Sequence, residues 1–349
     1  SSTFDWFSGL VNGSGLTTTG QVDLLSGTLN TDWTIAPTGT VTWGGDDSNQ
    51  LIINSATITN QGTFSISSSV GALVGDIFPG SELALRDFSA STAAQFINIG
   101  RLFIDADPLG SGSGDPIVFD LIFQNTGGFI GIASGTFKLL DPDSGNVQTL
   151  VLDAGSQLQG FGTLEANVIN SGGVVTPGSQ FGNFDETGKL AIDGNFTQLA
   201  AGTLNINLDA GIAGLTHGQL GVTGLLTAGG TIDFNVINGK TLIEIASLIN
   251  QSFSPIDVAP ANFAGRFATV NVPQALDFTF SNTGIVNIST TNEDLNIVSN
   301  QIEELISRDE LDFKEIVESM KFLDSKGEIF VDDEEEEDEE KRAPRLVCK

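Results

Sequence analysis

The feature that most constrains this chain is a phrase that recurs along its first four-fifths: glycine, threonine, then an apolar residue of strand-forming type. It stands at Gly27-Thr28-Leu29, Gly39-Thr40-Val41, Gly62-Thr63-Phe64, Gly135-Thr136-Phe137, Gly162-Thr163-Leu164, Gly202-Thr203-Leu204 and Gly230-Thr231-Ile232. After the phrase, apolar and polar residues alternate, most clearly in Thr203-Leu204-Asn205-Ile206-Asn207-Leu208 and Thr231-Ile232-Asp233-Phe234-Asn235-Val236. That period of two puts one face of a strand inside and the other in water. Turn pairs such as Asn12-Gly13, Gly172-Gly173 and Pro177-Gly178 separate the runs and supply positive φ at little cost.

The copies are spaced irregularly, which fits missed copies of a coil about 20 to 28 residues long. A single unit of that size cannot bury its apolar face, but similar units stacked on one another can. The expected fold is therefore all-β, a β-solenoid (parallel β-helix) in which each coil bonds to the next at roughly 4.8 Å. Coils of about 22 residues over residues 1–291 would give about 13 rungs and a rod on the order of 60 Å long.

Charge divides the chain near residue 292. Residues 1–291 hold 24 acidic and 6 basic side chains, and the remainder holds 20 acidic and 8 basic, for a formal net charge of -30. Residues 292–330 change pattern to Glu, Lys, Leu and Ile. There Ile302, Leu305, Ile306, Phe313, Ile316, Val317 and Met320 recur at helical spacing, a stripe that predicts a short amphipathic helical cap or docking segment, running to Leu323. Residues 331–349 begin with nine acidic residues in the ten from Val331 to Glu340 and end in bases. This is a self-repelling tail expected to be disordered.

The acidic balance argues against nucleic acid and anionic membrane as partners, since both are held by basic patches. No run of 18 apolar residues is present to form a transmembrane helix. One Cys (Cys348) and one His (His217) exclude a disulfide framework and a zinc site built from several Cys and His. His217 reads as a turn residue, and no nucleophile elbow accompanies it.

Calcium is the one cofactor the composition leaves room for, because it needs only oxygen ligands. Asp141, Asp143 and Asn146 alternate through a turn, and Asp46 and Asp47 concentrate acid in another. Neither completes an EF-hand loop, and an ordinary Asp/Asn/Gly turn is the simpler reading of each. Arg86, Asp87, Arg101, Asp105 and Asp107 form the best local grouping of opposite charges, and surface ion pairing accounts for it. No catalytic residue is singled out, and the chain does not read as an enzyme.

Residues Gly162 to Thr290 resemble the strand repeats of secreted bacterial β-solenoid proteins, the autotransporter passenger domains and related large surface adhesins. The resemblance lies in Asn170-Ser171-Gly172-Gly173-Val174-Val175-Thr176-Pro177-Gly178-Ser179 and in Lys189-Leu190-Ala191-Ile192-Asp193-Gly194-Asn195-Phe196-Thr197-Gln198. It continues in His217-Gly218-Gln219-Leu220-Gly221-Val222-Thr223-Gly224 and in Gly265-Arg266-Phe267-Ala268-Thr269-Val270, running on to Val286-Asn287-Ile288. It implies architecture and export to the bacterial cell surface, with no active-site motif to carry over. Passenger domains are normally followed by a membrane barrel, whereas this chain continues into the helical stripe and acidic tail, so a separately exported protein is expected. The start at Ser1-Ser2 without Met is compatible with removal of a secretion signal.

The expected function is thus an extracellular structural or adhesive rod. It is expected to assemble through its ends into a fibre, sheath or surface layer, with glycans or divalent cations as further partners. The alternative is a secreted polysaccharide-active β-helix, a lyase or hydrolase.

Overall fold

The computed structural model describes residues 3–6, 8–45, 51–68, 83–87, 94–106, 116–178, 187–209, 216–237, 246, 249–250, 252–273, 276–280, 286–290, 300, 322–323 and 329–330. Their main body is a three-sided coil of parallel strands, the β-solenoid expected from the repeat. The first face carries the strands Thr3–Trp6, Gln21–Leu24, Thr40–Gly45, Thr63–Ser68, Arg101–Asp105, Phe129–Ser134, Gln157–Gly160, Val174–Pro177, Thr203–Asp209, Thr231–Ile237 and Thr269–Asn271, each bonded to the next. The second face runs through ten strands from Leu10–Val11 to Ile256–Asp257. The third is divided into two five-stranded sheets, one from Leu16–Thr18 to Ile122–Asn125 and one from Thr149–Leu152 to Phe263–Gly265.

Eleven strands on the first face make ten ladder steps, a length of roughly 48 Å. This is shorter than the sequence estimate because the coils are unequal. The chain advances 17 residues from Gln157 to its neighbour Val174, but 38 from Thr63 to Arg101 and again from Thr231 to Thr269. The extra residues leave the coil at corners and return, so the register is kept whatever the insertion's length.

All seven Gly-Thr phrases open or directly precede a strand. Those at Gly39, Gly62, Gly202 and Gly230 enter the first face, and those at Gly27, Gly135 and Gly162 enter the second. At the first-face corner the coils approach closely enough to dictate the residue. Thr63 N donates to Gly39 O (3.0 Å), Arg101 N to Gly62 O (2.8 Å) and Phe129 N to Gly100 O (2.8 Å). A Cβ on Gly62 would sit 2.2 Å from Gly39 O, and one on Gly100 would sit 2.2 Å from Gly62 O. The glycines are there because the backbone of the coil below occupies the space of a side chain.

Inward residues form vertical columns. Val22, Val41, Phe64, Leu102, Ile130, Leu158, Val175, Leu204 and Ile232 are consecutive partners on the first face, and all are buried. Phe4 and Val270 extend the same column at its two ends and are 62% and 40% exposed. In the first six coils the rings of Trp6, Trp33, Phe64, Phe96, Phe119 and Phe137 follow one another with centroids 4.9 to 6.3 Å apart, mostly edge to face. Such pairs add about 0.5–1.5 kcal/mol each beyond their burial.

The interior also contains amides. Asn60, Asn98 and Asn125 end successive strands of the third face with their side chains turned in and buried. Asn60 Nδ2 donates to Asn98 Oδ1 (2.9 Å) and to Arg101 O (2.9 Å), and Asn98 Nδ2 to Asn125 Oδ1 (2.7 Å) and Phe129 O (3.0 Å). Asn125 Nδ2 closes the series on Gly128 O at 2.9 Å. Each amide thus ties its own coil to the next and satisfies a corner carbonyl. A second, shorter series links Asn170 to Gln198. Among the described residues, Asn60 Oδ1 and Asn170 Oδ1 are buried without a partner. Both start a series, with Ile35 or Leu152 as the ladder neighbour where another amide would be needed.

At the last coils the first-face strands lengthen to seven residues, and the two-residue strand Thr216–His217 pairs antiparallel with Thr203–Asp209. His217 therefore lies in a strand and not in the turn expected from its sequence. A three-stranded antiparallel sheet, Ser252–Phe253, Val286–Ser289 and Asp277–Phe280, packs there through Phe253 and Phe278 against Phe234. The segment Val286-Asn287-Ile288 belongs to this sheet, whereas Thr269–Asn271 continues the solenoid.

Ile302, Leu305, Ile306, Phe313, Ile316, Val317 and Met320 lie outside the described residues, as does the acidic tail. The helical stripe does not extend to Leu323: Phe322–Leu323 is a strand paired antiparallel with Ile329–Phe330. The intervening Asp324-Ser325-Lys326-Gly327-Glu328 is rich in turn formers, which outweighs the apolar spacing at that end. No helix among the described residues is long and apolar enough to cross a membrane.

Two substitutions test this account. Gly62→Ala is expected to destabilise the fold by about 1–3 kcal/mol through the clash with Gly39 O, whereas Ser65→Ala on the outer row should stay within about 0.5 kcal/mol. Asn98→Ala should cost about 3 kcal/mol, because it opens a cavity and strips partners from Asn60, Asn125 and Phe129 O. The midpoint of urea unfolding followed by circular dichroism checks all three.

Candidate functional site, a cleft at the third corner

The corner from third face to first face is not uniform along the rod. In the second coil the chain passes through four residues, Ala36 to Gly39, between Ile35 and the strand at Thr40, and in the sixth through Asp153 to Ser156 between Leu152 and Gln157. In the third and fourth coils only Gln61-Gly62 and Ile99-Gly100 intervene, and in the fifth only Thr126-Gly127-Gly128. The short corners sink between the long ones and leave a shallow cleft of about 480 Å³. Its floor is the glycine column, and the buried Asn60–Asn98–Asn125 series lies directly beneath. A Cβ on Gly128 would meet Asn98 Nδ2 at 2.5 Å.

One wall is the outer row of the first face, where Thr63, Arg101, Phe129 and Gln157 are successive ladder partners. Gln61, Ile99 and Pro37 complete the lining. Arg101 lies with its guanidinium carbon 5.9 Å from the Phe129 ring centroid, and Phe103 packs edge-on against that ring at 5.4 Å. The two other cations with described ion pairs are neutralised: Lys138 meets Glu165 at 2.8 Å and Lys189 meets Asp257 at 2.6 Å. Arg101 has no ion pair among the described residues. No Asp or Glu lines the cleft, although the chain carries 44 of them. Asp153 lies beside it, with Oδ1 accepting from Gly127 N (2.9 Å) and Ser156 Oγ (2.5 Å).

The structure brings Asp141, Asp143 and Asn146 into one exposed turn inserted before the strand Thr149–Leu152. Asp141 Oδ1 accepts from Asp143 N (3.1 Å), Ser144 N (2.8 Å) and Ser144 Oγ (2.9 Å), and these bonds hold its carboxyl below the usual carboxylate range. Gly145 N closes the turn on Asp141 O at 2.7 Å. Asp46 and Asp47 lie outside the described residues. Among the described residues no three His, Cys, Asp or Glu side chains gather as a metal-binding group. Arg86 and Asp87 lie in a second-face strand, whereas Arg101 and Asp105 lie in a first-face strand, so the grouping suggested by proximity in sequence is divided between two sides of the rod.

The cleft was not legible in the sequence. Its signal is the contrast in corner length between Gln61-Gly62 and Ala36-Pro37-Thr38-Gly39, which acquires meaning only once the coils are aligned by register. No protein-family model matches the chain, and no curated protein matches it.

His217 gives a separate test. Its ring packs on Phe253 at 5.0 Å between centroids, and Nε2 is 3.1 Å from Ser254 O, a carbonyl that also accepts from Gln219 Nε2 at 2.8 Å. Burial pushes its pKa below the usual 6.5, against the opposing effect of the Ser254 bond. The folded state therefore prefers the neutral ring, so this stabilisation is complete above pH 6.5 and is lost as pH falls through the lowered value. Unfolding midpoints between pH 8 and 5 should fall more steeply for the wild type than for His217→Gln.

Proposed function

We propose that this chain is an exported structural or adhesive rod of a bacterial cell surface, acting through its shape and its repetitive outer faces. The observation that carries the reading is the uninterrupted inward column from Val22 to Ile232, nine consecutive coils in one register with a dry interior. A stack of this kind resists local opening and proteolysis because every coil is bonded on both sides. The outward faces carry polar ladders, among them Asn12–Asn30–Asn54 with two 2.8 Å side-chain bonds and the Thr17, Thr34, Thr59 row. Such rows suit contact with glycans, ions or neighbouring rods.

Association through rod ends is part of the proposal. Column members are covered wherever a coil lies on both sides and exposed at Phe4 and Val270, and unpaired strand edges take up further strands. Electron microscopy of the purified full chain, with and without millimolar calcium, tests both parts. Straight particles roughly 5 nm long, joining into multiples of that length as concentration rises, are expected. Single rods at every concentration would remove the end-to-end contact. Release of reducing or unsaturated sugar ends from acidic polysaccharides would instead make the chain a polysaccharide-cleaving enzyme.

A further inference from the structure

The geometry points to the corner cleft as a binding site for a short stretch of glycan bearing a carboxylate, with Arg101 as the residue that meets the charge. This deepens the reading of the chain as a surface rod that contacts glycans, and it places that contact at one position along the rod.

Four properties of the cleft carry the argument. It is closed lengthwise by the long corners at Pro37 and Gly155, so it spans the four ladder steps between the second and sixth coils, roughly 19 Å. It holds a segment of a polymer and is not an endless groove. Its floor is backbone, because the glycine column excludes side chains, and an extended ligand can approach the coil closely there. Its lining mixes the amides of Gln61 and Gln157 and the hydroxyl of Thr63 with the apolar Ile99, Pro37 and Phe129. That mixture suits the hydroxyl edges and apolar C–H faces of a sugar ring.

The fourth property is charge. On a chain with net charge -30 the cleft carries one cation and no carboxylate in its lining. Arg101 is held in place by the Phe129 ring and has no ion pair among the described residues. A guanidinium that is already ordered loses little freedom on taking a carboxylate through paired N–H donors. The surrounding negative field opposes a dense polyanion, which favours a ligand with isolated charges over a run of acidic side chains.

The test is titration calorimetry of the full chain with a galacturonic acid tetrasaccharide, using its carboxyl-reduced counterpart and a tetraglutamate peptide as comparisons. Saturable binding of the tetrasaccharide is expected, weakened about tenfold or more in Arg101→Gln by loss of a charged hydrogen-bonded contact. The reduced sugar should bind the wild type and Arg101→Gln alike. Lys189→Gln on the second face should leave all affinities unchanged, and an unaltered urea midpoint for Arg101→Gln would show that its fold is intact. No saturable binding by the wild type, or equal binding by Arg101→Gln, would overturn the assignment. Tighter, Arg101-dependent binding of tetraglutamate would overturn the glycan in favour of an acidic peptide. None of these outcomes bears on rod formation, which microscopy reads separately.

Discussion

Everything in this molecule depends on the hydrogen-bonded step between one coil and the next. A parallel ladder fixes that step at about 4.8 Å, and nothing on the chain can alter it without breaking the bonds. Residues that come into vertical contact must therefore be compatible at that distance. At the first-face corner the backbones come so close that only glycine fits, as the 2.2 Å approaches at Gly62 and Gly100 show. Inside, the same step stacks rings edge to face and brings each asparagine amide within reach of its neighbour. The recurrent Gly-Thr phrase is the trace of this constraint in the sequence.

Two kinds of interior adhesive share the work. Apolar columns provide the bulk of the burial, but they do not by themselves specify which residue sits above which. The Asn60–Asn98–Asn125 series does, since a shift of one residue would leave buried donors and carbonyls unpaired and turn the side chains to the other face. Where a series begins, an acceptor goes unsatisfied, as at Asn60 and Asn170. The third face divides near the turn that holds Asp141. There Gln148 takes over part of the ladder, its Oε1 accepting from Phe123 N at 3.1 Å, and Asp153 accepts from Gly127 N at 2.9 Å. Side chains thus replace backbone partners where an insertion disturbs the coil.

Function, on this reading, is carried by what the coil tolerates. Because the ladder holds register regardless of what leaves at the corners, corner length is free to vary, and variation makes relief on an otherwise regular rod. The cleft between the second and sixth coils is such relief. Its single cation is significant because the remainder of the chain is so acidic, and because Lys138 and Lys189 are neutralised where they stand.

The sequence by itself determined the solenoid, the strands that follow each Gly-Thr phrase, and the inward residues of Thr203–Asp209 and Thr231–Ile237. Period-two alternation and glycine placement are local properties, and they survive any arrangement of the coils. Only the tertiary structure decided the number of rungs, since insertions of unequal length between Thr63 and Arg101 and between Gln157 and Val174 conceal the repeat. It also turned Phe322–Leu323 from the end of a helical stripe into a hairpin strand and separated Arg86 from Arg101 onto different faces. Most of all, it assembled the cleft: Thr63, Arg101, Phe129 and Gln157 are 28 to 38 residues apart in the chain and become neighbours only through the ladder. Spacing along the chain carries no record of that proximity, because the distance between coils is set by backbone hydrogen bonds and not by the number of residues between them.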